Sequence, residues 1–221
     1  MSGQTKEQII SAGKKLVDAG LVLATWGNIS CRVPRSPYFL ITPSGMPYAQ
    51  LKPEDLVMVG QKGQVAEGMR KPSTEVLMHL AIYTARADVQ AVVHTHSPYA
   101  GSFAVAREPI PVILEEMAQL IGGPVKVANY GLAGTEVLAK YTVEALEERN
   151  AVLLANHGVV AVGTSITEAL TVAFLVEKCA QVMLRAKALG VPYTMGSRET
   201  QRLRENFLKH YGQNKKGGGA D

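Results

Sequence analysis

The chain has 221 residues, 47% of them hydrophobic and 19% charged, with two cysteines. That composition excludes disordered, fibrous and disulfide-stapled classes, and no apolar run approaches the roughly eighteen residues a membrane helix needs. The net charge of +4 equals the excess in one terminal stretch, where Arg198, Arg202, Arg204, Lys209, Lys215 and Lys216 outweigh Glu199 and Glu205. Without aromatic interleaving or zinc-knuckle spacing, that stretch reads as a solvated helix, so no nucleic-acid partner and no membrane contact are expected. The opening MSGQTKEQII lacks the basic-then-apolar layout of a signal peptide. A cytoplasmic protein with Cys31 and Cys179 as reduced thiols is the expectation.

From about Thr5 to Leu23, apolar residues recur at helical spacing (Ile9, Ala12, Leu16, Val17, Leu21), and Gly20 weakens the far end. Ile29, Cys31 and Val33 then alternate, as do Phe39 and Ile41, with Pro34, Pro37 and Pro43 as punctuation: short strands. Residues 56–59 and 64–66 read as a hairpin around Gln61-Lys62-Gly63. Pro72-Ser73-Thr74-Glu75 opens a helix that runs to about Arg86. A β-branched run from Val89 to His94 predicts a buried strand. Residues 136–149 predict a helix, and two strands, 151–155 and 159–162, flank Asn156-His157-Gly158. A long helix follows over 167–189, with Thr164, Ser165 and Thr167 as cap candidates and Gly190 as its stop. Arg198 to Tyr211 closes the series. Strict strand–helix–strand alternation is missing, so the expected class is α+β, one sheet covered by helices. A single domain over 1–211 and a flexible Gly/Lys-rich tail over 212–221 are expected.

Two of the five histidines occur as His94-Thr95-His96, directly after Ala91-Val92-Val93. Residues two apart on a strand share a face, so both imidazoles would project into one site. His157 follows a second apolar run, Val152 to Ala155. Three neutral imidazoles with a carboxylate or water form a zinc coordination set; backbone-bonded structural histidines are the alternative. Gly27-Asn28, Thr42-Pro43-Ser44-Gly45 and Ser73-Thr74 gather backbone N–H groups and short donors at element boundaries. At a helix N-terminus, such groups favour an anion, although turns and caps use the same residues. Glu75 gains a chemical role only if it lies beside the histidines; otherwise it is a capping carboxylate. No Walker A or GxGxxG pattern supports nucleotide binding. A Schiff-base route needs a buried lysine, and the one candidate, Lys126, is expected to face the surface from a strand.

In combination, Gly27-Asn28-Ile29-Ser30, Thr42-Pro43-Ser44-Gly45, Pro72-Ser73-Thr74-Glu75, His94-Thr95-His96 and Asn156-His157-Gly158 stand in the order and spacing of the class II aldolase/adducin family. From about residue 5 to residue 211, the sequence resembles the fuculose-phosphate aldolase branch. The resemblance implies a three-layer α/β/α fold with a central, mainly antiparallel sheet. It implies a homotetramer with four-fold symmetry and active sites at subunit contacts. It also implies one zinc ion per subunit held by His94, His96 and His157, with Glu75 as acid/base and as a fourth metal ligand when substrate is absent. Thr25, Gly27, Asn28, Ser44, Gly45, Ser73 and Thr74 would hold the phosphate of a ketose 1-phosphate, and Tyr211 would reach a neighbouring site as a second catalytic group. The implied reaction cleaves L-fuculose 1-phosphate, or a related 5-deoxypentulose or methylthioribulose phosphate, to dihydroxyacetone phosphate and an aldehyde.

Glu116 stands about where the fuculose-phosphate enzymes carry a tyrosine, so Glu115 and Glu116 read either as surface residues or as substrate-hydroxyl contacts, and the sugar stays open. A pentulose-phosphate 4-epimerase is the alternative, suggested by the ending His210-Tyr211-Gly212-Gln213. Against it, those enzymes usually carry aspartate in place of Glu75. A dehydratase or decarboxylase of the family is a further reading. An adducin-like binding module would have no need of the intact histidines and Glu75.

Overall fold

The computed structural model describes residues 2–211; the tail expected over 212–221 lies outside them. Helix α1 (Ser2–Asp18) buries Ile9, Ala12 and Leu16. It ends before the predicted Leu23 because Gly20 enters the left-handed region (φ 69°). Leu21 and Val22 then fold back into the core as loop residues.

Strands β1 (Asn28–Arg32), β2 (Phe39–Ile41), β3 (Val57–Val59) and β4 (Val65–Glu67) form an antiparallel meander. Its last hairpin closes through Gly60 N–H to the Gln64 carbonyl at 2.9 Å. Helix α2 (Val76–Ala85) leads to β5 (Ala91–Thr95) and α3 (Pro98–Ala106). Then come β6 (Lys126–Ala128), α4 (Glu136–Leu146), β7 (Ala151–Leu154), β8 (Gly158–Gly163), α5 (Ile166–Leu189) and α6 (Ser197–His210). The eight strands form one sheet in the order β4-β3-β2-β1-β5-β8-β7-β6.

The sheet is mixed. Six of the seven pairings are antiparallel, but β6 runs parallel to β7. Helix α4 lies between those two strands in the chain, and such a crossover is what joins parallel neighbours. Strict strand–helix–strand alternation is missing as expected, but one such unit stands at this edge, so the sheet is mixed rather than wholly antiparallel.

Two apolar clusters lie on the sheet. One gathers α1, α3 and α5 with Ile29, Cys31, Ala91 and Val93; the other gathers α2 and α4 with Val92, Val152 and Val160. Alternation along β1 turns Ser30 away from Ile29 and Cys31 and towards α2, where it bonds Tyr83 and His79.

Helix α3 escapes the sequence reading because Ala100, Gly101 and Ser102 dilute its periodicity. Its N-terminus is satisfied from a distance: the Glu177 carboxylate on α5 accepts from Tyr99 N–H (3.0 Å) and Ala100 N–H (2.8 Å). Ser165 caps α5 as expected, its hydroxyl accepting from Glu168 N–H at 3.1 Å. Helix α6 stops at His210 and packs on a single π-helical turn, Met117–Ile121. Arg204 holds it there by donating to the Gln119 and Leu120 carbonyls. At least this basic residue of the terminal stretch is a packing group.

The register places Asn28 opposite His94 and His94 opposite Val160. The start of β1, the end of β5 and the β7–β8 turn therefore meet at one end of the sheet centre. Gly27 makes the approach possible: it has φ 75°, and a Cβ there would stand 2.6 Å from the His94 carbonyl oxygen. Gly27→Ala is expected to cost about 2 kcal/mol, lowering Tm by roughly 4–8 °C. Thermal unfolding with an unchanged Tm would contradict this close-approach argument.

Candidate metal centre and acid–base site

His94 and His96 project from the end of β5 onto one face, as their spacing predicts; their Nε2 atoms are 3.1 Å apart. His157 joins them from the β7–β8 turn, where Asn156 takes the left-handed conformation (φ 52°) and Gly158 follows. A Cβ at Gly158 would collide with the Thr95 carbonyl. One ligand atom from each imidazole lies within 4.8 Å of the others. His94 is fully buried; the other two are partly exposed.

Glu75 is the residue before α2, with Ser73 Oγ accepting from its N–H at 3.3 Å. Its Oε2 lies 3.2 Å from His94 Nε2, and its Oε1 lies 3.4 Å from His157 Nε2. Burial favours its acid form, yet the facing His94 and His157 and the Asn28 amide outweigh burial and hold the carboxyl below its ordinary range. The carboxylate is therefore ionised at neutral pH. His96 and His157 are each pushed down to about 4, first by burial and then by the neighbouring His94, which leaves both neutral at that pH.

This donor set suits a metal. His94 Nδ1 lies 2.9 Å from the Val159 carbonyl, which can only accept, so Nδ1 carries a proton and Nε2 is the ring nitrogen turned into the cluster. Glu75 Oε1 is buried with no hydrogen-bond partner among the described residues. A buried orphan oxygen facing the His157 imidazole, beside a cluster of three, is the environment a divalent cation relieves.

The predicted anion-binding segments converge beside this cluster. Ser44 N–H bonds the Lys71 carbonyl at 3.0 Å, and Ser73 N–H bonds the Thr42 carbonyl at 3.0 Å. Thr42 Oγ1 accepts from Ile29 N–H at 3.2 Å, which ties both segments to the start of β1. Ser44, Gly45 and Thr74 are exposed, Thr25 and Gly27 are half-buried, and Ser73 and Asn28 are buried. The Asn28 amide is already engaged: Nδ2 donates to Glu75 Oε2 at 2.8 Å.

Other expected residues do not meet here. Tyr211 stacks on Phe207, with ring centroids 4.6 Å apart, and is 68% exposed. Leu208, one turn earlier, lines a cavity with Asp88 near the start of β5. Gly163 lines the same cavity and pairs with Ala91 at the start of β5, three strand residues, roughly 10 Å, from His94. Tyr211, three residues on from Leu208, thus lies towards the other end of β5 and β8 from the histidines. Glu116 forms an ion pair with Lys178 at 2.7 Å, outside the cluster. Lys126 is exposed and pairs with Glu147 at 2.6 Å; among the described residues no lysine is buried, which removes the Schiff-base candidate.

The sequence reading missed Trp26 and His79. Trp26 stacks on His96 with centroids 5.9 Å apart and planes 18° apart. His79 is wholly buried behind Asn28, and its spacing of four from Glu75 was the available signal.

The family model for the class II aldolase and adducin N-terminal domain matches residues 7–184. The chain is 41% identical over 208 residues to a 5-deoxy-D-ribulose 1-phosphate aldolase of Bacillus thuringiensis serovar kurstaki, covering 94% of this chain and 97% of that one. It is 36% identical over 206 residues to a 5-methylthioribulose-1-phosphate/5-deoxyribulose-1-phosphate aldolase of Rhodospirillum rubrum, covering 93% and 91%. Among solved structures, an L-fuculose 1-phosphate aldolase superposes with a TM-score of 0.91 at 38% identity, covering 94% of this chain and 98% of that one. With the histidine cluster and the five motifs in place on this fold, the chain belongs to the class II aldolase and adducin family.

Proposed function

We propose that this protein is a cytoplasmic, zinc-dependent aldolase that reversibly cleaves a ketose 1-phosphate to dihydroxyacetone phosphate and an aldehyde. The observation that carries the reading is Glu75 set between His94 and His157 with one oxygen that takes no hydrogen bond. A binding module has no use for a buried carboxylate held against three imidazoles. The substrate class follows the relatives named for 5-deoxyribulose and 5-methylthioribulose 1-phosphates. Glu116, spent on Lys178, offers no hydroxyl contact at the cluster. Trp26 presents an apolar face beside His96, which suits an aldehyde end that lacks a terminal hydroxyl.

In the cleavage direction, the C4 hydroxyl loses its proton and becomes the aldehyde carbonyl. The C3–C4 bonding pair passes to the dihydroxyacetone phosphate fragment, which takes a proton at C3. Zinc held by His94, His96 and His157 would supply Lewis-acid stabilisation of the negative charge on the ketose oxygens. Glu75, ionised at rest, takes up a proton from solvent and delivers it to C3 in cleavage; in the synthetic direction the carboxylate removes that proton as a base. The converging segments of Gly27, Ser44, Gly45, Ser73 and Thr74, with Thr25 in the turn before them, hold the phosphate. That grip fixes the fragment with binding energy remote from the reacting carbon. Asn28 serves this anchor with its second amide hydrogen.

The proton at the C4 oxygen needs another group, and Tyr211 is out of reach within one chain. The partner subunit's Tyr211 fills that role in the tetramer we propose. Exposed Leu23 (68%), Trp26 (56%) and Tyr130 (57%) support a subunit contact at this end of the sheet. Tyr211→Phe is expected to lower kcat about tenfold, the value of one lost hydrogen bond, with zinc retained. A fully active monomer in sedimentation would contradict this arrangement.

Release of dihydroxyacetone phosphate from 5-deoxyribulose 1-phosphate and from L-fuculose 1-phosphate, with and without chelator, tests the reading. Chelator-sensitive cleavage with the higher kcat/KM on the 5-deoxy sugar is expected. Preference for the fuculose sugar would overturn the substrate assignment, and no release from either would overturn the aldolase.

A further inference from the structure

Behind Glu75 runs a file of buried polar groups, of which the chemistry above uses only Asn28. Tyr83 OH is 2.7 Å from Ser30 Oγ, and Ser30 Oγ is 2.6 Å from His79 Nδ1. His79 Nε2 is 2.5 Å from Asn28 Oδ1, and Asn28 Nδ2 is 2.8 Å from Glu75 Oε2. Ser30 and His79 are fully buried, Asn28 is 4% exposed and Tyr83 5%. Glu75, His79 and Tyr83 are spaced by four along one helix face, and Asn28 and Ser30 by two along one strand face. The two faces interleave rung by rung.

Chemistry fixes the direction of every bond in the file. The bond from Asn28 Nδ2 to Glu75 Oε2 turns the amide's NH2 group towards the carboxyl and its oxygen towards His79. That oxygen only accepts, so His79 must carry its proton on Nε2. Burial pushes the His79 imidazole down to about 3, so it is neutral and its Nδ1 is an acceptor. Ser30 must then donate to Nδ1, and its oxygen is left to accept from Tyr83. A reversed imidazole would set an Nδ1–H donor against Ser30 and a bare Nε2 against the Asn28 oxygen. The Asn28 amide would then have to flip and aim its carbonyl at the carboxylate.

We propose that His79 is a positioning residue for Glu75: locked as the Nε2–H tautomer by Ser30 and Tyr83, it fixes the Asn28 amide so that Glu75 Oε2 is tethered and Oε1 is left to move the proton. This rests on Glu75 as the acid/base. Second-layer groups of this kind typically contribute tenfold to a hundredfold.

Two measurements test it on the full chain. The first is the nitrogen-15 spectrum of histidine-labelled wild-type protein at neutral pH. It should show His79 with a protonated Nε2 and a bare Nδ1, coupled across the bond to Asn28; a protonated Nδ1 overturns the proposal without any variant. The second compares His79→Phe, His79→Gln and Ser30→Ala, each checked for one zinc per chain. His79→Phe should lower kcat about tenfold to a hundredfold with KM within about twofold. His79→Gln, whose side-chain N–H can reach the same Asn28 oxygen, should recover most of that loss. Ser30→Ala, which frees the tautomer, should lower kcat and spare KM. Full kcat in His79→Phe, or equal losses in His79→Phe and His79→Gln, overturns the positioning role. Those results leave the Glu75 reading intact, because that reading falls only if Glu75→Gln is fully active.

Discussion

His96→Ala is expected to abolish stoichiometric zinc binding and to lower kcat/KM at least about a thousandfold, roughly 4 kcal/mol of transition-state stabilisation. The three imidazoles share one small volume, with His94 and His96 Nε2 only 3.1 Å apart. Removing one leaves two nitrogens and a carboxylate, too few for a firmly held catalytic zinc. The protein itself should survive, because His96 is only partly buried and lies just past the end of β5. Metal content by mass spectrometry and the chelator-induced fall in Tm report the site without activity. In wild type the chelator should lower Tm; in the variant it should change nothing. One zinc per chain retained in the variant would contradict the ligand assignment.

Glu75→Gln is expected to keep zinc and to lower kcat about a thousandfold with KM little changed. The substitution preserves shape, and the new amide oxygen can still accept from Asn28 Nδ2, which now lies 2.8 Å from Glu75 Oε2. The buried file stays satisfied, so stability should stay near wild type. What is lost is a group able to take and return a proton. Glu75→Ala differs informatively: it strands the Asn28 donor in a buried site, which should add a stability loss of about 1–3 kcal/mol. Full turnover in Glu75→Gln would refute the acid/base role.

Much of the fold was legible because its segments obey local rules. α2 begins where Pro72-Ser73-Thr74 predicts, α5 starts at its Ser165 cap, and the β3–β4 hairpin turns at Gly63. The early end of α1 is local, at Gly20, but the missed α3 and the parallel pairing depend on long-range structure. Helix α3 is capped by Glu177, which lies 77 and 78 positions away in sequence. The parallel β6–β7 pairing depends on where α4 packs, not on the three residues of β6.

The site divides in the same way. The alternation of His94 and His96 gave their shared face, and His157 was placed by its strand-end context. Glu75 acquired meaning only beside them. Asn28 was read for phosphate alone, because nothing in Gly27-Asn28-Ile29-Ser30 shows that its amide turns to a carboxylate 47 residues away. His79 went unread: a histidine inside an apolar helix looks like core until Ser30 and Asn28 are seen on either side of it.

The most direct test of the account is proton exchange in heavy water. Zinc-loaded protein is incubated with dihydroxyacetone phosphate alone, and the C3 protons are followed by NMR, with and without chelator. Loss of one C3 proton signal is expected, stereospecific, abolished by chelator and by Glu75→Gln. Retention of both protons by zinc-loaded protein that turns over some other sugar phosphate would contradict it and select the epimerase, dehydratase or decarboxylase chemistry of the family.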